Sequence, residues 1–351
     1  MKLPMPRIKT GIINVTGYIG AELARLLDQH PQAELVTVTG RSAAGQKLSD
    51  VFPHFAGTNY VIKTELDSNI DIAFSAMPHK TSIDVIPQLL KQDIRVIDVS
   101  ADFRLKDVSE YPRWYGFTHP SPELLKDAVY GLPELHRDEI ASASLVANPG
   151  CYSTGAILAL APIVKEGLIY PEIIVDSKSG VSGAGRTLSF TTHYSEVNEN
   201  TCAYSLEGHR HLPEMEQELG TLNPGLSPSI TFVPHLVPMT RGILSTCYAR
   251  LRGDKLSKGA KAKEELNLLY HEFYKDAAFV RVTSKLPQTK HAWGNNFCFI
   301  YPTIDLRTDR LIVISSLDNL VKGGAGQAVQ NMNVMFNLPE ATGLEALAIY
   351  P

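Results

Sequence analysis

Apolar and polar positions alternate in a regular order along the first half of the chain. The run Gly11–Val15 is apolar and rich in β-branched residues, which is typical of a buried strand. A turn with Gly17 and Gly20 follows it, and three leucines then recur at helical spacing. Four more strand-like runs follow at 33–40, 70–78, 94–103 and 142–150, and a helical segment covers 82–92. Strands alternating with helices predict a doubly wound parallel sheet in an α/β fold.

The pattern changes after Cys151. A helical segment at 155–168 leads into a strand and a Gly/Ser loop at 172–185. Strand-like runs follow at 229–238, 241–253, 278–284 and 298–318, the last of them resembling a hairpin. This order predicts a second α+β domain with a mixed sheet. We expect residues 1–150 to form the first domain and 151–322 the second, and the helical segment 323–351 to return to the first.

Composition narrows the class of protein. The 351 residues are 44% hydrophobic and 20% charged, with a formal net charge of −4, as in an ordinary globular protein. This mildly acidic balance predicts neither a nucleic-acid nor a membrane partner. No apolar run reaches the roughly 20 residues of a membrane span, and the N-terminus lacks the apolar core of a signal peptide. We therefore expect a cytoplasmic protein.

The glycine turn is the first candidate binding element. The segment "NVTGYIG" (14–20) lies between a strand and an amphipathic helix, which is the context of a Rossmann dinucleotide-binding turn. Backbone N–H groups at such a helix N-terminus can bind a pyrophosphate. Asn14 occupies the position of the first glycine, and Asn tolerates the left-handed backbone better than most residues. A capping turn that binds no ligand is the alternative.

The end of the second strand predicts which dinucleotide is bound. NAD enzymes carry an acidic residue there for the ribose 2′-OH, but this chain has "TGRS" (39–42), without an acid. Arg41 can form charge-assisted bonds to a 2′-phosphate. We therefore predict NADP(H) rather than NAD(H), the alternative for Arg41 being an ordinary loop arginine.

Cys151 is the candidate reactive group. The four cysteines (Cys151, Cys202, Cys247 and Cys298) are far apart and form no C-x-x-C pair, so a disulfide or a metal site is not expected. Cys151 follows a strand and "NPG" and precedes a predicted helix, and a helix N-terminus favours a thiolate. This position indicates a nucleophile, whereas buried structural roles are expected for the other three.

The segment "VANPGCYSTGAILALAP" closely resembles the active-site signature of the N-acetyl-γ-glutamyl-phosphate reductases of arginine biosynthesis. "TGYIGAELARLL", "RSAAGQKLSDVFPH", "IDVSADFRL", "DSKSGVSGAGR", "GHRHLPEMEQEL" and "DNLVKGGAGQAVQNMN" resemble the same family in the same order. Asn14 replaces the family's usual first glycine. Ser153 stands where a small apolar residue or proline is usual.

The resemblance implies a reaction and a set of site residues. The Cys151 thiolate would displace phosphate from an acyl phosphate, and the thioester would be reduced by NADPH to a semialdehyde. The cofactor residues implied are Thr16, Gly17, Tyr18, Ile19, Gly20, Arg41, Ser42, Pro78, Ser182, Gly183 and Asn319.

Proton transfer and anion binding require further groups. The family's catalytic histidine matches His209, Glu214 would orient its ring, and His211 is the alternative. The substrate residues expected are Arg104, Arg210, Asn148 and His211, with Arg186 and Arg241 as weaker candidates. No metal is expected.

Two other functions agree with part of the pattern. A reductase of a carrier-protein-linked aminoadipyl phosphate in lysine biosynthesis would share much of it, including "SADFRLKD". A non-catalytic NADP(H)-binding sensor would need the glycine turn but neither Cys151 nor His209. The resemblance also implies a homo-oligomer, either a tetramer or a dimer.

Overall fold

The first part of the chain forms a parallel sheet. In a computed structural model, which describes residues 7–253 and 255–351, this sheet has the strand order β3-β2-β1-β4-β5-β7-β6, and every neighbouring pair is parallel. Its strands are β1 (Ile8–Ile13), β2 (Ala33–Thr39), β3 (Ile62–Lys63), β4 (Ile72–Ser75), β5 (Arg95–Asp98), β6 (Val129–Tyr130) and β7 (Leu145–Ala147). The central strand β4 is buried along its length, as expected for a strand covered on both faces.

The later part of the chain forms a mixed sheet with the order β12-β13-β14-β11-β8-β10-β9. Its strands are β8 (Ile169–Gly180), β9 (Cys202–Ala203), β10 (Ser229–Val237), β11 (Ile243–Leu251), β12 (Val280–Val282), β13 (Cys298–Asp305) and β14 (Arg310–Leu317). The pair β13 and β14 is the antiparallel hairpin that the sequence indicated. Buried and half-buried residues alternate along β13, so one face of the strand packs against the core.

Helices cover or cross both sheets. They are α1 (Tyr18–Asp28), α2 (Leu48–Val51), α3 (Ser82–Leu90), α4 (Glu110–Tyr115), α5 (Pro122–Asp127), α6 (Pro133–Ser142), α7 (Cys151–Lys165), α8 (Tyr194–Val197), α9 (Leu212–Leu222), α10 (Ala260–Phe273) and α11 (Gly326–Met335). Helix α7 is buried on all sides from Tyr152 to Val164. It is apolar all round, which is the composition of a helix inside a core.

The described chain divides into two compact units. The first unit comprises residues 7–108, Thr118–Pro149 and Gly324–Ala346, and it contains the parallel sheet. The second comprises Ser109–Phe117, the described part of Gly150–Gly323, and Leu347–Pro351, and it contains the mixed sheet. The segment Ser109–Phe117, which the sequence grouped with the first domain, therefore belongs to the second unit.

The predicted fold class is confirmed, because one sheet is parallel and the other is mixed. Helix α11 packs within the first unit, where Asn331 Nδ2 donates to Gly131 O at 2.9 Å and Gln327 Nε2 donates to the same oxygen at 3.0 Å. In the described part of the chain, no helix is long and apolar enough to cross a bilayer.

Candidate functional site

The glycine turn of the first unit has the backbone that the sequence predicted. Asn14 has φ 65°, a left-handed conformation that Asn tolerates better than most residues. Its Nδ2 donates to Ala76 O at 2.8 Å, so the side chain also fixes the turn to the end of β4. A Cβ atom on Gly20 would lie 2.4 Å from Asn14 O and 2.6 Å from Val15 Cα, so this close approach requires glycine.

The start of helix α1 is open to a ligand on the side of Gly17. Gly17 is the N-cap, and no side chain caps the helix there. The nearest atom to a Cβ on Gly17 would be Asn14 Nδ2 at 3.8 Å, so this position is not crowded by the protein itself. Thr16, Tyr18 and Ile19 belong to the same turn. The turn therefore offers backbone N–H groups to an anion, as a pyrophosphate requires.

A cavity of about 780 Å³ lies in the first unit. It is lined by Ile13, Asn14, Thr39, Gly40, Arg41, Ser42, Thr64, Glu65, Leu66, Asp67, Ser68, Met77, Pro78, Thr81, Val85, Gln88, Leu89, Gln92 and Ile94. The predicted cofactor residues Arg41, Ser42 and Pro78 thus share one cavity with Asn14 of the turn. The cavity size is in the range of small-molecule and cofactor sites.

Cys151 is the first residue of the 15-residue helix α7, which begins four residues before the helical segment predicted at 155–168. Its side chain is half-buried. A Cβ atom on Gly323 would lie 2.7 Å from Cys151 Cβ, so the glycine backbone packs directly on the cysteine. The partial positive charge of the helix N-terminus favours the thiolate form of a cysteine in this position.

Glu214 and His211 both lie against the residue before Cys151. Glu214 is fully buried, and its Oε2 accepts the backbone N–H of Gly150 at 2.9 Å. A Cβ atom on Gly150 would lie 2.6 Å from Nε2 of His211, so the imidazole ring packs on the Gly150 backbone. Ser153 Oγ donates to His211 O at 3.2 Å. The histidine segment is thereby fixed to the first turn of α7.

His209 is held as a neutral imidazole. Its Nδ1 accepts the backbone N–H of His211 at 3.1 Å, so the proton of the neutral ring is on Nε2. Burial, and secondly the charge of Arg210, lower the pKa of His209 to about 4. The ring centroids of His209 and His211 are 4.7 Å apart. At neutral pH, His209 is therefore a hydrogen-bond donor through Nε2.

Three of the predicted cofactor residues come together in the second unit. Asn319 Nδ2 donates to Ser182 Oγ at 2.9 Å, and Asn319 Oδ1 accepts the N–H of Gly242 at 2.8 Å. The Cβ position of Gly183 is 3.8 Å from Asn319 Nδ2. Asn319 thus connects the Gly/Ser loop, which forms a short 3-10 helix over Val181–Ala184, to the start of β11.

Two predicted substrate residues make interior contacts in the first unit. Asn148 is fully buried; its Nδ2 donates to Gly324 O at 3.2 Å, and its Oδ1 accepts from Asn331 at 3.1 Å. Arg104 is 6% exposed, and its Nη2 donates to Val99 O at 2.8 Å.

The remaining arginines differ in exposure and contacts. Arg210 and Arg186 are exposed side chains of the second unit. Arg241 is half-buried, and its Nη1 lies 3.5 Å from a carboxylate oxygen of the fully buried Asp318. Among these three, the exposed Arg210 is next in sequence to His209 and His211.

The three cysteines other than Cys151 differ in burial: Cys247 and Cys298 are buried as expected, whereas Cys202 is exposed, so the expected buried role is wrong for Cys202. In the described residues the four cysteines form no disulfide. No group of three His, Cys, Asp or Glu side chains there could hold a metal ion. Cys247 is buried, and burial raises the pKa of its thiol to about 12, which makes it unreactive at neutral pH.

Sequence reasoning missed the aromatic residues around His209. The ring of Tyr152 lies 5.5 Å from that of His209, Tyr204 lies at 5.7 Å and Phe232 at 5.3 Å. Tyr152 follows Cys151 directly, but nothing in the local pattern distinguishes Phe232 from any other buried strand residue. Gly323 was also missed, although the glycine pair in "KGGAG" signals a close backbone approach.

Both units match known families. Residues 9–143 match the family model described as semialdehyde dehydrogenase, NAD binding domain, and residues 151–319 match semialdehyde dehydrogenase, dimerisation domain. Aspartate semialdehyde dehydrogenase II from Vibrio cholerae is similar in fold, with TM-score 0.71 and 18% identity over 94% of this chain and 99% of that one. An aspartate semialdehyde dehydrogenase with NADP from Candida albicans has TM-score 0.69, with 15% identity over 94% and 98%. Fold and site therefore define a protein of the semialdehyde dehydrogenase class.

Curated relatives identify the family within that class. The N-acetyl-gamma-glutamyl-phosphate reductase of Dehalococcoides mccartyi strain CBDB1 is 56% identical over 99% of this chain and 100% of its own length. The enzyme of the same name from Pelotomaculum thermopropionicum is 50% identical over 98% and 99%. The chain belongs to the N-acetyl-γ-glutamyl-phosphate reductase family, which confirms the resemblance identified from its motifs.

Proposed function

We propose that this protein reduces N-acetyl-γ-glutamyl phosphate to N-acetylglutamate 5-semialdehyde and phosphate, with NADPH, through a thioester on Cys151. The observation that carries the proposal is the position of Cys151 at the N-terminus of a buried 15-residue helix, beside a histidine segment fixed to that same turn. The names of the full-length relatives support the substrate.

The residues of the first unit fit a nicotinamide dinucleotide. The glycine turn presents an uncapped helix start with space at Gly17, and the adjoining cavity of about 780 Å³ contains Arg41 and Ser42. The pyrophosphate would bind at the start of α1, and Arg41 and Ser42 would hold the 2′-phosphate. In the second unit, Ser182, Gly183 and Asn319 would contact the cofactor. When bound, NADPH supplies the hydride that reduces the thioester.

The chain's own residues account for the other steps. The Cys151 Sγ attacks the acyl carbon, an S–C bond forms, and the bond from that carbon to the phosphate oxygen breaks, so phosphate leaves with the electron pair. After reduction, collapse of the tetrahedral adduct breaks the S–C bond and returns the electron pair to Sγ. Each tetrahedral species carries a negative oxygen, and the neutral Nε2–H of His209 would donate a hydrogen bond to it.

Residues near Cys151 are proposed to position its helix and to bind the anionic groups of the substrate. Glu214 holds the N–H of Gly150 and so fixes the start of α7. His211 packs on that same backbone and remains the alternative donor. The exposed Arg210 is the cation proposed for the substrate's anionic groups, in preference to the buried Arg104.

The deciding experiment follows the reaction in reverse. NADP+ reduction is measured with N-acetylglutamate 5-semialdehyde, with and without inorganic phosphate, for the wild type, Cys151→Ser and the exposed-cysteine control Cys202→Ser. We expect phosphate-dependent NADPH formation that Cys151→Ser reduces by at least about 10³-fold and Cys202→Ser preserves. A folded, NADP-binding protein that does not turn over this carrier-free substrate would exclude the proposed substrate and favour the carrier-linked aminoadipyl compound.

The histidine roles require a separate pair of variants. Removal of an oxyanion donor lowers kcat by about 10²–10³-fold, so His209→Gln is expected to lose that much and His211→Gln less. A larger loss in His211→Gln would assign the donor to His211.

We also propose that the protein is a homo-oligomer. The matched description of residues 151–319 as a dimerisation domain supports this proposal. Size-exclusion chromatography with light scattering tests it, and a mass equal to one 38.6 kDa chain at micromolar concentration would contradict it.

A further inference from the structure

His209 is enclosed by aromatic rings that come from different parts of the second unit. The rings of Tyr152, Tyr204 and Phe232 meet it edge to face, with interplanar angles of 87°, 70° and 90°. The ring of His211 completes the enclosure at an interplanar angle of 75°. Edge-to-face contacts at these separations are the favoured aromatic geometry.

Each ring is fixed by its own element. Tyr152 is the second residue of α7, Phe232 lies on β10 and is 7% exposed, and Tyr204 follows β9 directly. Tyr204 Oη donates to Tyr152 Oη at 3.1 Å, and Tyr152 Oη donates to His235 O at 3.3 Å. The rings of Tyr152 and Phe232 also contact each other at 5.3 Å. Neither ring can turn away from His209 without breaking these contacts.

The enclosure and the backbone favour the same state of the imidazole. Protonation of Nδ1 would point two N–H groups at each other, because that nitrogen already accepts the His211 N–H. The rings cover much of the half-buried imidazole, and this partial loss of contact with water penalises the imidazolium cation. Burial, the larger cause, and the charge of Arg210 together lower the pKa of His209 to about 4.

We propose that Tyr152, Tyr204 and Phe232 are positioning residues, whose rings hold the His209 imidazole neutral and aim its Nε2–H in one direction. The identity of the group that receives this hydrogen bond rests on the proposed function. The neutral state and the orientation of the His209 ring do not. The elements that pack against His209 carry further titratable and charged groups. They are Arg210 and His211 on its own segment, Cys151 and Tyr152 on α7, Cys202 and Tyr204 at β9, and His235 on β10, which pairs with Asp176.

A phenylalanine-to-leucine pair provides matched variants. Phe232→Leu removes the ring beside His209. Phe299→Leu removes the same atoms from β13, where Phe299 lies 6.2 Å from the ring of another histidine, His291. Tyr152→Phe keeps the ring and removes only the hydroxyl. The Tyr204→Leu variant is a second way to open the enclosure, should Phe232→Leu fail to fold.

The readout is NMR of the histidine rings in the full-length protein, with the His209 signals assigned by their loss in His209→Gln. In the wild type we expect the Nε2–H tautomer throughout pH 5.5–8. Phe232→Leu or Tyr204→Leu should raise the pKa of His209 by at least one unit. Phe299→Leu and Tyr152→Phe should leave it within about 0.3 unit.

Kinetics give a second readout. The acid limb of the kcat profile should move to higher pH in Phe232→Leu. A rise of one unit in a pKa of about 4 halves the neutral fraction of His209 at pH 5, so kcat at pH 5 should fall about twofold or more while KM changes less than twofold. An unchanged His209 pKa in a folded Phe232→Leu or Tyr204→Leu protein would overturn the proposal. The NMR experiment contains no substrate, so its result stays valid even if the proposed reaction is wrong. Failure of the proposed function would be seen only in the activity assay.

Discussion

Gly20 and Gly17 lie in the same turn but should respond differently to an added methyl group. A Cβ on Gly20 would lie 2.4 Å from Asn14 O and 2.9 Å from the carbonyl carbon of Val15. Both are backbone atoms, and carbon contacts prefer about 3.5–4.0 Å. The turn must therefore move by about 1 Å to accept Gly20→Ala.

Two opposing free energies decide whether Gly20→Ala stabilises or destabilises the fold. Overpacking in a rigid site costs about 1–3 kcal/mol, whereas Ala gains about 1 kcal/mol over Gly inside a helix. Gly20 is inside α1, so both contributions apply. Contacts of 2.4–2.9 Å with backbone atoms, which cannot turn aside, place the overpacking cost in the upper part of its range, at about 2–3 kcal/mol. After the gain of about 1 kcal/mol we expect a net destabilisation of about 1–2 kcal/mol, together with weaker binding of NADP+.

Gly17→Ala is the matched control. Its φ of −81° and ψ of 167° are open to any L residue, and its Cβ would be 3.8 Å from the nearest protein atom. The free energy of unfolding should therefore change by less than about 0.5 kcal/mol. A methyl group there would occupy the space proposed for the pyrophosphate, so the Kd for NADP+ should rise at least about tenfold, or 1.4 kcal/mol.

Denaturant unfolding and calorimetric titration with NADP+ measure the two quantities for each variant. Wild-type NADP+ affinity in Gly17→Ala would refute the assignment of this turn to the cofactor. An unchanged unfolding midpoint in Gly20→Ala would refute the packing argument. The two refutations are independent, because one concerns the ligand and the other the protein alone.

Three further predictions concern single side chains. Arg41→Met should raise the Kd for NADP+ about tenfold and that for NAD+ less than twofold in calorimetric titrations; equal weakening would exclude a 2′-phosphate contact. Ser153→Ala should lower the free energy of unfolding by about 0.5–1.5 kcal/mol, since it removes the bond to His211 O, and an unchanged urea midpoint would contradict this. Burial lowers the pKa of His30, so the unfolded state takes up its proton first as pH falls below 6.5, and stability should fall between pH 7 and 5. His30→Gln should flatten that pH dependence, and an equal slope in both proteins would contradict the assignment.

Much of the fold could be predicted because it depends on local pattern. β-Branched apolar runs correspond to β1, β2 and β4, and the hairpin of β13 and β14 has the expected partners. The sequence shows that Asn14, a residue that tolerates a left-handed backbone, stands at the first glycine position, and its φ is 65°. Predicted bounds were too long at several strands; for example, the run 94–103 contains a strand only at Arg95–Asp98.

The site was predicted only where one segment contains it. Cys151 could be found because strand, turn and helix are contiguous around it. Phe232 could not, since its contact with His209 joins residues far apart in sequence, which no local pattern encodes. The glycine pair at Gly323 signals a close approach, but not that Cys151 is the residue approached.

The motif "SADFRL" shows a case in which a local sequence pattern predicts a site residue that the structure buries. It suggests an anion site because it contains an arginine, but Arg104 lies 6% exposed beside buried carboxylates. Burial, opposed by hydrogen bonds from Ser100, raises the pKa of Asp98 to about 7. Residue type alone does not reveal whether a cation faces solvent or the interior.

The discontinuity of the first unit has a consequence for synthesis on the ribosome. Asn331 contacts Gly131 and Asn148, about 200 residues earlier in the chain. At about 5–20 residues per second, roughly 10–35 s separate the emergence of Pro149 from that of Gly324. During this interval the nascent parallel sheet lacks helix α11, and its uncovered apolar surface is exposed to chaperones and to other nascent chains. The last helix to be made therefore completes the first unit to begin folding.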